Sequence, residues 1–154
     1  MGEVRHRGVE GSIAGQIGAR TNVVVGAVVF EPKVTGPLVD AGVVGSRAAG
    51  ISHRIVNANI ERRLGDSWSV DASVSHFGKR WADTANTFKT PAVTTFSLGA
   101  RSRFVLAGRP AEFRVLASNL SGVEGYLAAP TGLLSPIAPR TVRALLTVTL
   151  GSKD

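Results

Sequence analysis

The sequence predicts an all-β chain: an antiparallel up-and-down sheet of about seven strands, read as a segment of a transmembrane β-barrel. Three observations carry this expectation. Apolar and polar residues alternate with period two, and helical periodicity is nearly absent. Short and long connections alternate strictly along the chain. The apolar positions hold Val, Ala and Leu with Gly, where the core of a soluble sandwich would carry more bulk.

The strands follow in order. Val9, Ile13 and Ile17 alternate with Glu10, Ser12 and Gln16. Asn22 to Phe30 forms the second strand, although Val23-Val24-Val25 blurs its faces. Within Ile51 to Leu64, Val56, Ala58 and Ile60 alternate with Asn57, Asn59 and Glu61. The fourth strand sets Trp68, Val70, Ala72 and Val74 against Ser67, Ser69, Asp71, Ser73 and Ser75. From Thr94 to Leu106, Phe96, Leu98, Ala100 and Phe104 oppose Ser97, Gly99, Arg101 and Arg103. Ala111 to Asn119 is the sixth strand. The seventh sets Val142, Ala144, Leu146, Val148 and Leu150 against Arg143, Leu145, Thr147 and Thr149.

Short turns lie at Gly18–Thr21, Leu64–Asp66 and Ala107–Pro110; long Gly/Pro-rich loops lie at about Val34–Gly50, Arg80–Pro91 and Ser121–Pro139. Transmembrane barrels have this asymmetry, with short periplasmic turns and long extracellular loops. Their lipid-facing side is apolar and their lumen polar. A tight Leu64-Gly65-Asp66 turn predicts Arg63 opposite Ser67, Ile60 opposite Val70 and Ala58 opposite Ala72. A one-residue slip would set apolar against polar everywhere.

Composition removes several function classes. With no Cys among 154 residues, there is no disulfide scaffold, thiolate metal site or cysteine nucleophile. No apolar run is long enough for a spanning helix, and MGEVRHRGVEG has no apolar signal-peptide core. The formal charge of +7 comes mainly from Arg scattered along the chain, without the stripe or stacking aromatics of a nucleic-acid binder. His6, His53 and His76 are too dispersed for a metal pair, so neither a metal nor a cofactor is expected. Asp71, Ser73, Ser75 and His76 lie along one strand and cannot converge as a triad, so no enzyme is expected.

Four local motifs carry a family resemblance: Arg7-Gly8-Val9-Glu10; Phe77-Gly78-Lys79-Arg80 followed by Asp83, Asn86 and Pro91; Val115-x-x-Ser118-Asn119-Leu120 followed by Tyr126; and Pro139-Arg140-Thr141. In this order and at these distances the sequence resembles the C-terminal barrel part of a TonB-dependent outer-membrane receptor of the siderophore type. The resemblance spans about residues 4 to 150. It implies that residues 1–150 are barrel and that 151–154 are a tail. Receptors of this kind thread a plug through a barrel of roughly 22 strands. Neither plug nor energy-coupling box is found here, and the last strand ends at Leu150 without the family's terminal aromatic. A fragment or truncated reading frame is therefore expected.

The resemblance further implies an outer-membrane location in a Gram-negative cell and a ferric siderophore or similar ligand. The implied partners are the rest of the barrel and plug, the TonB energy-coupling complex acting through that plug, and outer-membrane lipid. Lys79, Arg80, Trp81, Lys89 and Tyr126 are the loop residues that would touch ligand. Glu61, Asp71, Arg101 and Arg103 are expected to face the lumen, where they would meet a plug or anionic ligand, or simply pair across strands with Glu112 and Arg114. Family strands end in the periplasm, so the long loops are expected outside the cell. The alternative is a small soluble β-sandwich or barrel acting as a binding module.

Overall fold

A computed structural model describes residues 2–150. The tail expected at 151–154 lies outside the described residues. One antiparallel sheet dominates the chain. Its strands are β1 (Glu3–Ile17), β2 (Thr21–Thr35), β3 (Arg54–Arg63), β4 (Trp68–Phe77), β7 (Val93–Leu106), β8 (Arg109–Ser118) and β11 (Thr141–Val148). They lie side by side in chain order, so the sheet is an up-and-down meander. The skipped numbers are small hairpins within the long loops: β5 (Arg80–Trp81) with β6 (Lys89–Thr90), and β9 (Tyr126–Ala128) with β10 (Leu134–Pro136). A single helical turn, α1 (Pro37–Asp40), sits in the first loop.

All seven expected strands are present, with two differences. β1 and β2 are longer than the alternation suggests, at 15 residues each. Beyond Val9 and Val29 the partners on the same face are charged or polar, as in Arg7 opposite Glu31 and Arg5 opposite Lys33, so pairing outlasts the apolar pattern. The β3–β4 register is also two residues from the expected one. Arg63 lies opposite Ser69, Ile60 opposite Ala72, and Ala58 opposite Val74. The turn uses Gly65-Asp66-Ser67, closed by Leu64 N–H donating to Trp68 C=O at 2.8 Å, so a three-residue turn of the expected length sits one residue further along the chain. A shift of two leaves every side chain on its expected face.

The two faces can be followed rung by rung. On one, Val23, Ile60, Ala72, Leu98, Ala117 and Val142 form a continuous cross-sheet row. Beside it run Val25, Ala58, Val74 and Phe96. Among the described residues nothing covers this face: Ile13 is 77% exposed, Leu98 54% and Phe96 50%. The buried hydrophobic residues are only Val93, Ala111 and Ala128, among the described residues. Full burial of one such side chain is worth roughly 1.5–3 kcal/mol, so a water-soluble sheet would not leave an entire face bare. No helix is long and apolar enough to cross a membrane, which says nothing of crossing by strands.

At one rim the connections are tight. Ala107-Gly108 closes β7 and β8, with Leu106 opposite Arg109 and both turn residues at positive φ (49° and 75°). Such a pair is a type I′ turn, matched to the twist of a hairpin. At the other rim the three long loops are knitted together. Gly45 N–H donates to Thr84 C=O at 2.8 Å, and Gly50 N–H to Trp81 C=O at 2.7 Å. Asn86 brackets Arg47, accepting from its N–H and donating to its C=O, both at 2.9 Å. Asn119, buried at the end of β8 with φ 51°, ties its own loop by donating to Val123 C=O and Ala138 C=O, each at 2.9 Å.

Candidate functional site

The polar face of the sheet gathers the first group of candidates. Glu61, Asp71, Gly99 and Leu116 share one cross-strand row; Arg63, Ser69, Arg101 and Arg114 share the next. Glu61 and Asp71 are therefore direct neighbours, as are Arg101 and Arg114. Ion pairs cross between the rows. Arg101 reaches over β4 to Glu61 and also donates to Ser69 Oγ at 3.2 Å. Arg114 reaches over β7 to Asp71, Nη2 to Oδ1 at 3.8 Å. Gly99 makes that crossing possible, because a Cβ there would stand 2.3 Å from Asp71 Oδ1. Arg103 pairs with Glu112, its direct neighbour on β8, at 3.2 Å.

Glu61, Asp71, Arg101 and Arg103, expected on one face, do share it, and they pair largely with one another and with Arg114 and Glu112. Near the short-turn rim, Glu61, Arg63, Asp66, Arg101 and Arg103 line a polar recess of about 290 Å³. It carries three guanidinium groups against two carboxylates, and among the described residues no group of His, Asp or Glu is arranged to hold a metal.

The long-loop rim holds the second group. Lys79, Trp81 and Lys89 come together around a cleft of about 460 Å³, joined by Glu31, Arg47 and His53. Lys89 Nζ sits 4.0 Å from the centre of the Trp81 ring, a cation–π contact. Arg47 is held there by an ion pair to Glu31. Arg80, next to Trp81 in sequence, turns the other way: its guanidinium lies 5.0 Å over Phe77 and donates to Ala128 C=O at 3.3 Å. Partial burial lowers its pKa below the ordinary guanidinium value. Arg80 thus straps two loops together. Tyr126 lies in β9 opposite Pro136, half-exposed and outside this cleft.

Sequence reasoning missed Glu31, Arg47 and His53. Arg47 sits in a Gly/Ala-rich stretch with no periodicity, so nothing local could have placed it. Between β5 and β6, Asp83 shapes the loop, accepting from the N–H groups of Thr87 (3.0 Å) and Phe88 (2.9 Å) and from the Thr87 hydroxyl at 2.7 Å. These donors hold its carboxyl below the usual carboxylate range, those of Phe88 and Thr87 N–H contributing most.

The family model of the TonB-dependent receptor-like β-barrel matches residues 1–120. The chain belongs to the TonB-dependent receptor barrel family. The fold agrees. The ferric preacinetobactin receptor BauA of Acinetobacter baumannii superposes with a TM-score of 0.83 at 21% identity, over 96% of this chain and 22% of its own. The ferric-catecholate import receptor Fiu of E. coli, in its closed form, gives a TM-score of 0.73 at 19% identity, over 94% of this chain and 21% of its own. The TonB-dependent receptor sheet described here thus spans about a fifth of either solved chain. No curated protein matches the sequence.

Proposed function

We propose that this chain supplies barrel wall and outer loops to a receptor in the Gram-negative outer membrane that takes up ferric siderophores, or ligands of similar chemistry, with energy delivered by TonB. The observation that carries the reading is the contrast between the faces: one apolar and uncovered, the other charged and paired within itself. Lipid suits the first and a water-filled or plug-filled interior the second. Glu61, Asp71, Arg101 and Arg103 then line that interior, and the long loops lie outside the cell. The remaining barrel strands and a plug complete the receptor. A soluble binding module would need a second layer over the apolar face, and the described residues contribute none.

BauA and Fiu are named for ferric preacinetobactin and ferric-catecholate import, and this supports a cargo of the same class. Among the loop residues, Trp81 and Lys89 suit it best, since a cation stacked on an indole offers a flat, positive surface to an anionic aromatic chelate. Lys79 flanks them, Arg80 braces the loop, and Tyr126 stands apart as a separate contact. The test is uptake of a labelled ferric catecholate by iron-starved cells whose receptor carries W81A and K89A. Uptake should fall about tenfold with the receptor still in the outer membrane. Unchanged uptake rejects the loop assignment. Recovery of the receptor in the soluble fraction rejects the whole reading.

A further inference from the structure

Toward the long-loop rim the apolar face changes character along one line. On β1 and β2 the last aliphatic partners are Val9 and Val29; the next positions on the same face are Arg7 and Glu31, then Arg5 and Lys33. On β3 Val56 gives way to Arg54, and on β4 Val74 gives way to His76. Four successive strands thus exchange aliphatic for mainly cationic or imidazole side chains at one edge of the apolar band. Arg7, His53, Arg54, His76 and Lys79 line a cleft of about 600 Å³ at this edge, with Val29, Gly78 and Ala92 among its apolar walls. Its one lining carboxylate, Glu31, is engaged by Arg47.

We propose that this cleft binds the phosphate-bearing headgroup of a lipid in the leaflet that surrounds the long-loop rim. The inference rests on the reading that the apolar face meets lipid. Where that face ends, headgroups begin, and the cleft lies at this level with apolar walls continuous with the band below. Its cations are also unclaimed. On the polar face Arg101, Arg103 and Arg114 answer carboxylates, whereas Arg7, Arg54 and Lys79 have no acidic partner within 4.0 Å among the described residues. Arg7 and Arg54 stand two strands apart and two residues out of line, roughly 12 Å between backbones, within the span of two arginine side chains meeting at one headgroup. Guanidinium groups grip phosphate oxygens in pairs, and a desolvated rim strengthens that contact. Basic pockets beside spanning segments recognise headgroups by this chemistry.

The experiment offers the purified receptor containing this sheet equal concentrations of phosphatidic acid or phosphatidylcholine in detergent, and counts bound lipids by native mass spectrometry. Phosphatidic acid should be retained in preference, by about tenfold. The preference should collapse in the combined R7Q, R54Q and K79Q variant, and persist in R20Q, which removes a cation at the opposite rim. Single variants read the same loss in part if the combined one folds poorly. Equal retention of the two lipids, or a preference that survives the combined variant, overturns the proposal. So does complete displacement by millimolar inorganic phosphate, which would make the free anion the ligand. Retention of neither lipid also overturns the proposal, while the lipid-facing reading stands or falls separately, on recovery of the receptor in the membrane or the soluble fraction.

Discussion

Glu61 and Asp71 stand directly opposite one another on β3 and β4, two carboxylates side by side, and each is answered from further along the sheet: Glu61 by Arg101 and Asp71 by Arg114. Since Arg101 and Arg114 are neighbours too, two like-charged pairs are reconciled only by crossing. Like charges opposite one another destabilise a sheet, so the four groups depend on each other. Arg101→Gln should cost about 1–2 kcal/mol, and adding Glu61→Gln should recover part of that loss. Additive costs in a double-mutant cycle, measured by unfolding of the receptor in lipid, would show that the four act separately.

Gly99 is the bare stretch of backbone over which Arg114 reaches Asp71. Gly99→Val should push Asp71 aside and cost about 1–3 kcal/mol, although Val has the better strand propensity. A stabilised or unchanged receptor in the same unfolding assay would contradict this account.

The two faces should answer oppositely to a new charge. Leu98→Arg, in the middle of the apolar row, should cost about 2–4 kcal/mol in a bilayer. Ser97→Arg, one residue away on the polar face, should be mild. Equal costs would mean that the faces are assigned wrongly.

Ala107 holds a left-handed conformation, φ 49°, in the turn joining β7 and β8. A side chain with a Cβ pays for that backbone, and Asn tolerates it best. Ala107→Asn should therefore stabilise the hairpin by about 0.5–1 kcal/mol, and Ala107→Val should weaken it. A lower urea midpoint for the Asn variant would count against the turn geometry.

Asp83 gives the β5–β6 loop a pH limit. Its folded-state pKa lies below the ordinary value, so its contribution is complete above the unfolded pKa of about 3.9 and fades as the pH falls through the lower folded value. The Thr87 and Phe88 amides should stay protected from exchange between neutral pH and about 5, and lose protection in stronger acid. Asp83→Asn should lose part of that protection already at neutral pH. Protection that is flat down to the acid limit would remove Asp83 from this role.

The strands were legible because each has one bare face, so Val56, Ala58 and Ile60 announce themselves by parity alone. The register of β3 and β4 was not, since parity is unchanged by a shift of two and only the turn decides between the alternatives. Where β1 and β2 continue through Arg7 and Glu31, alternation of polarity stops while hydrogen bonding does not. The hairpins β5–β6 and β9–β10 leave no periodic trace, because two- or three-residue strands are held by loop-to-loop bonds. The shared-face position of Glu61, Asp71, Arg101 and Arg103 could be read from spacing. The convergence of Lys79, Trp81 and Lys89 on Arg47 could not, because it is set by Gly50, Asn86 and the loops they join.

Those loop-to-loop bonds have a mechanical consequence. Trp81 is bonded through its carbonyl to Gly50, Arg80 to Ala128, and Asn86 to Arg47, so the connections after β2, β4 and β8 form one stiff lid rather than three independent flaps. In the function proposed above, a cargo that presses on any one of them pushes on all three hairpins below. Because folding has already fixed these segments against each other, little freedom remains to be lost at the moment of capture. Cutting a single tie, as Asn86→Ala would, leaves the Gly45–Thr84, Gly50–Trp81 and Arg80–Ala128 bonds in place, so the lid loosens without coming apart.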